Sequence, residues 1–141
     1  MLTVLIAEDD LMIADMVEEM LLAEGYAVCG IARTVAEAVA LGLRHQPDLA
    51  IIDLRLADGG LGTEIINPLA SLTKLGVLYA TGNVAQVALT AADGHACLAK
   101  PFRRDDLLRS LEIVVRIVAD GKAVPPFPHG FQVLRSADSA P

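Results

Sequence analysis

Short apolar runs rich in β-branched residues alternate along this chain with segments of helical periodicity. In order they are TVLIA, LMIADMVEEMLLAEG, AVCGIA, TVAEAVALGLRHQ, DLAIIDL, TEIINPLASL, VLYAT, a short NVAQVALTAADG, ACLAK and RRDDLLRSLEIVVRIVADG. The first type has the length of a buried strand, and the second carries apolar residues at three- and four-residue spacing. Five such strands separated by helices imply right-handed crossovers and a parallel sheet covered on both faces. The expected fold is therefore a doubly wound, five-stranded α/β domain. Asp10 and Thr34 stand where helix N-caps belong, and Gly25 and Gly121 where helices stop. After Gly121 the prolines and small polar residues of KAVPPFPHGFQVLRSADSAP suit an extended or disordered tail. The expected division is a domain over residues 1–120 and a tail over 121–141, with Phe127 and Phe131 undocked.

A length of 141 residues fits one core, and 54% hydrophobic residues argue against general disorder. Charges interrupt every apolar stretch well before the roughly 18 residues of a membrane span, and the first residues do not look like a signal peptide. The expectation is a soluble, cytoplasmic protein. A net charge of −7 without clustered Lys or Arg offers nucleic acid no electrostatic footprint. Cys29 and Cys97 lie in apolar runs and read as small core residues rather than a disulfide.

In open α/β sheets ligands bind beyond the carboxyl ends of the strands. The residues closing the apolar runs are Glu8-Asp9, Asp53, Thr81 and Lys100. Asp10, next to the acid pair, reads as the cap of the first helix. Carboxylates meeting at one rim repel one another unless a cation sits among them, and hard oxygen donors suit Mg²⁺. A lysine and a threonine hydroxyl at the same edge add partners for an anion. Each residue alone is ordinary at a strand end. Together, on successive strands, they read as a phosphoryl-binding site.

These residues resemble the receiver domain of two-component response regulators over residues 3 to 119. That family has an acid pair after the first strand, a phosphorylated aspartate ending the third, Thr or Ser ending the fourth and Lys-Pro after the fifth. Here those are Glu8-Asp9, Asp53, Thr81 and Lys100-Pro101. The resemblance implies the flavodoxin-like strand order 2-1-3-4-5. It also implies transfer of a phosphoryl group to Asp53 from a histidine kinase or histidine phosphotransfer protein. Mg²⁺ would be held by Asp9, Asp53 and the backbone carbonyl of Arg55, with Glu8 acting through water. Lys100 would pair with the phosphoryl oxygens, Thr81 would close on them, and the Gly82-Asn83 loop would follow. Arg55 and Asn83 would flank the path of the hydrolytic water, and the Lys100-Pro101 bond would be cis.

Three departures from the family pattern stand out. The loop after Asp53, LRLADGGLGTEI, is one residue longer than the common family pattern and has Ala57 where proline is frequent; the segment from Thr81 to Lys100 is shorter than usual by about a turn of helix; and Cys97 replaces the usual switch aromatic. The expected output is accordingly a shift of residues 82–95 that changes binding of a downstream protein.

Met12, Met16 and Met20 recur beside the core line Ile13, Val17 and Leu21, and read as core filling, with kinase docking as the alternative. On the last helix Leu107, Leu111, Val114, Val115 and Val118 make a core face, while Ile113 and Ile117 lie off it and suggest a homodimer patch. With no output domain in these residues, the expectation is a stand-alone, Mg²⁺-dependent switch or phosphate sink rather than an enzyme with an outside substrate. The rivals are a phosphorylation-independent interaction module and a Mg²⁺-dependent Asp-nucleophile hydrolase. The hydrolase needs an acid two residues after its nucleophile, where Arg55 stands.

Overall fold

The computed structural model describes residues 1–82 and 88–136. Its elements are β1 (Thr3–Ala7), α1 (Leu11–Ala23), β2 (Ala27–Ala32), α2 (Val35–His45), β3 (Leu49–Asp53), β4 (Gly76–Thr81), β5 (Ala96–Ala99), α3 (Arg104–Asp120) and β6 (Phe131–Val133). They form one sheet in the order β2-β1-β3-β4-β5-β6, parallel except for β6. The expected order 2-1-3-4-5 is present, extended by a sixth strand. The caps are where the sequence puts them. Asp10 Oδ1 accepts from the N–H groups of Met12 and Ile13, Thr34 Oγ1 accepts from Glu37 N–H, and Gly25 and Gly121 take positive φ beyond α1 and α3.

The two-residue period of a strand divides the core into two layers. Val4, Ile6, Ile51, Leu78 and Leu98 pack with α1 and α3, while Leu5, Ala50, Ile52, Tyr79 and Cys97 face the opposite side. Continued one step past the strands, the same alternation puts Glu8, Asp53 and Lys100 on the α1/α3 side. The register pairs Ala7 with Ile52 and Thr81 with Ala99, so these rim residues arrive side by side.

Four expectations need correction. TEIINPLASL does not form a regular helix: it makes short 3-10 turns at Gly62–Ile65 and Asn67–Leu69, because Pro68 has no N–H and its ring crowds the preceding turn. The tail is extended but docked, since Phe131 is buried in the core and β6 pairs with β5. Ile113 is buried in the same cluster as Phe131, with Ile117, Ala123 and Val133 packed against it, so it is not a surface patch. Met12 and Met16 are exposed and only Met20 packs against the core, so the stripe is not core filling.

Candidate functional site

Glu8, Asp9 and Asp53 each present a carboxylate oxygen within 4.8 Å of the others. Lys100 Nζ donates to Glu8 Oε1 at 2.6 Å and to Asp53 Oδ2 at 3.2 Å. Glu8 Oε2 also accepts the Asp10 N–H, which fixes the carboxylate between a cation and the start of α1. Glu8 is buried, and that burial, with Asp53 beside it, overrides the lowering effect of Lys100 and raises its pKa to about 7. Burial alone would lower the Lys100 pKa; Glu8 and Asp53 outweigh it and raise it, so the ammonium keeps its charge. One lysine against three acids leaves net negative charge at the rim. The donors are all hard oxygens, so the set fits a small divalent cation such as Mg²⁺.

Thr81 ends β4 in a buried position, and its carbonyl accepts the Lys100 N–H at 2.8 Å, joining the threonine and lysine rims directly. Gly82 is exposed beyond it. Asn83 lies outside the described residues. The Lys100-Pro101 peptide is cis, as the resemblance implies.

The long loop after Asp53 is a miniature hairpin. Leu56 N–H donates to the Gly60 carbonyl, Gly62 N–H to the Leu54 carbonyl, and Arg55 bridges to Leu61. At its tip Asp58 and Gly59 both take positive φ, the geometry of the hairpin turn that Asp-Gly pairs favour. The hairpin leaves Arg55 exposed, two residues beyond Asp53. A Cβ at Gly62 would stand 2.2 Å from the Asp53 carbonyl oxygen, so only glycine lets the returning strand reach the backbone of Asp53. Gly62 is a positioning residue that the reading of acids and cations passes over; the signal for it is a fourth small residue in a loop already rich in glycine.

Cys97 is buried in β5 and paired in register with Tyr79 of β4. Tyr79 is itself fully buried, and its hydroxyl donates to the Asp93 carbonyl at 2.7 Å. An aromatic therefore ties the threonine strand to the segment before β5, although the aromatic position on β5 is vacated. The signal was present in VLYAT: a tyrosine inside a wholly apolar strand must still find a partner for its hydroxyl. Both cysteines are free.

An open groove of about 300 Å³ beside the acids is lined by Ile13, Met16, Lys100, Pro101 and Phe102. It joins exposed Met16 of α1 to the rim. Among the described residues no helix is long and apolar enough to cross a membrane.

Sheet order and rim together define a doubly wound α/β domain with an acidic cluster that could hold a metal ion at the carboxyl edge of its parallel strands. The chain belongs to the response regulator receiver domain family, whose model matches residues 4–112. It is 34% identical over 119 residues to the transcriptional regulatory protein PdtaR of Mycobacterium tuberculosis, covering 79% of this chain and 56% of that protein. It is 37% identical over 116 residues to the acid tolerance regulatory protein ActR of Rhizobium meliloti, covering 77% of this chain and 57% of that one. The chain thus spans little more than half the length of these curated relatives. Among solved structures, a CheY-like receiver domain protein from Methanospirillum hungatei superposes with a TM-score of 0.73 at 27% identity, covering 86% of this chain and 99% of that chain. Members of the family are generally switches rather than enzymes acting on outside substrates.

Proposed function

We propose that this receiver domain carries a phosphorelay signal by accepting a phosphoryl group on Asp53. The convergence of Asp53, Glu8, Asp9 and Lys100 on one rim carries this reading. A carboxylate oxygen of Asp53 attacks the phosphorus of a phosphohistidine on a histidine kinase or phosphotransfer protein. The phosphorus–nitrogen bond breaks and its electron pair returns to the imidazole. Asp9, Asp53 and the Arg55 carbonyl would hold Mg²⁺, with Glu8 acting through water. The bound cation supplies the positive charge that offsets repulsion between the carboxylate and the incoming phosphoryl group. Lys100, already in contact with Asp53, pairs with the phosphoryl oxygens, and Thr81 closes on them. The groove of Ile13, Met16 and Phe102, with Met12 exposed on the same helix, suits the docking of a helical phosphodonor protein. Arg55, exposed two residues beyond Asp53, covers the phosphoryl group and slows its hydrolysis.

Intact mass after incubation with a small phosphodonor tests the reading. One added phosphate is expected only with Mg²⁺, and none in Asp53→Asn. Labelling of the Asp53→Asn protein would remove Asp53 from its role. A protein that never gains mass would favour the phosphorylation-independent module. The hydrolase reading is disfavoured because Arg55 stands where its second acid is needed.

A further inference from the structure

The segment after α3 folds back over the domain and closes the sheet at β5. Arg109 of α3 anchors it, donating from Nη2 to the Val124 carbonyl at 2.7 Å and from Nε to the Pro126 carbonyl at 3.1 Å. Three backbone bonds then tie it to two other parts of the domain. Ala99 N–H donates to the Gly130 carbonyl at 3.0 Å, Leu134 N–H to the His95 carbonyl at 3.0 Å, and Ala91 N–H to the Arg135 carbonyl at 2.9 Å. Phe131 fills the space beside Ile113 and Leu98, with Phe127 against it at 5.5 Å between ring centroids.

These anchors sit where the site would transmit movement. Ala99 adjoins Lys100, while Ala91 and His95 belong to the segment that follows Thr81 and is gripped by Tyr79. Closure of Lys100 and Thr81 on a phosphoryl group would pull on both segments to which the cover is tied. The cover is also slight. Its strand has three residues and sits at a sheet edge, the part of a fold that opens at a small fraction of the global unfolding free energy. Beneath it lie the edge of β5 that β6 pairs and the apolar side chains of Ile113 and Ile117. An exposed edge beside such a face accepts an added strand.

We propose that residues 122–136 are a displaceable cover in cis, opened by phosphorylation, and that the uncovered β5 edge binds an extended segment of a partner protein. The cover itself shows the chemistry required: an antiparallel strand with bulky apolar residues two apart, as Phe131 and Val133 are. This rests on the reading of Asp53 as phosphoacceptor.

The test uses the full chain with a small phosphodonor and Mg²⁺, and reads intact mass and amide exchange on the same sample. The partner surrogate is a labelled peptide with the sequence of residues 122–136. Phosphorylation should speed exchange at residues 96–99 and 131–134 by about tenfold or more. The peptide should bind the phosphorylated chain and not the unmodified one, and the peptide version carrying Phe131→Asp should fail. Arg109→Ala, which lacks the anchor, should show the faster exchange without phosphodonor. A mass gain with exchange unchanged at both segments and no peptide bound overturns this inference while leaving Asp53 in its role. Phosphorylation-dependent dimers that exclude the peptide would mean that a second copy's tail fills the edge, and would overturn the partner assignment. No mass gain overturns the reading of Asp53, and the phosphorylation link with it.

Discussion

Lys100 and Glu8, separated by 92 positions in the chain, meet at 2.6 Å across the carboxyl edge of the sheet. The same ammonium reaches Asp53, so one cation serves two acids from two strands. Lys100→Met should therefore leave a half-buried pair of carboxylates without a counter-charge. Their side chains are only 7% and 17% exposed, and the loss should be about 1–3 kcal/mol in denaturant unfolding. Magnesium should recover part of it. A variant as stable as the parent without metal would mean that the bridge carries no stabilising load.

Asp9 and Asp10 are neighbours with different tasks. Asp10 spends its side chain on the N–H groups of Met12 and Ile13, whereas Asp9 joins the acid cluster. Asp10→Ala should cost about 1 kcal/mol of stability with little change in Mg²⁺ affinity. Asp9→Ala should do the reverse. Equal losses of affinity in a Mg²⁺ titration would show that the acidic run is misassigned.

Gly62→Ala tests how Asp53 is held. A methyl group 2.2 Å from a backbone oxygen cannot be accommodated without moving the hairpin or β3. Overpacking of this kind costs about 1–3 kcal/mol, and here it should also slow phosphorylation of Asp53. Gly59→Ala, strained by its positive φ but with open space around it, should affect stability alone. Similar phosphorylation rates in both variants would separate the hairpin from the site.

The rim acids, the threonine and the lysine were legible because each closes an apolar run, and parallel strands bring such ends together whatever intervenes. The cover and the broken helix were not. Phe131 stands among prolines that suit disorder, and its burial depends on an edge of β5 that lies more than thirty residues earlier. Ile113 read as a surface residue because helical periodicity shows faces and does not show what covers them. The methionines of α1 failed in the opposite sense: an apolar stripe of helical spacing was available, but the narrower line of Ala14, Val17 and Leu21 filled the space. The Asp58-Gly59 turn was readable from its residue types; its closure against Asp53 was not.

Tyr79→Phe should remove the bond to the Asp93 carbonyl and leave that half-buried oxygen short of a donor, at a cost of about 1 kcal/mol. Amide exchange should rise across residues 90–95 more than elsewhere. An even rise across the whole domain would show that the hydroxyl stabilises the fold without gripping this segment in particular.

His95 gives the domain an acid-sensitive point. Burial holds its pKa below the usual 6.5, and its Nδ1 accepts the Val77 N–H at 3.0 Å, which requires the neutral ring. The unfolded chain takes up a proton near pH 6.5 that the folded chain refuses, so stability is fully present above that pH and declines as pH falls through it. A His95 titration followed by NMR should show a midpoint below 6.5. A midpoint at or above that value would remove this contribution.

The hairpin after β3 also limits how this loop can change length. Because it returns through Gly62 onto the carbonyl of Asp53, and Arg55 faces Leu61 across it, added residues are best accommodated at the Asp58-Gly59 tip, where they can loop out without shifting that facing. A residue added within the returning strand between Gly60 and Gly62 would instead shift its register and bring a side chain where Gly62 must be. Permissible insertions are thus set by place more than by size, and a short peptide tag spliced at the tip should leave the backbone of Asp53 where it is.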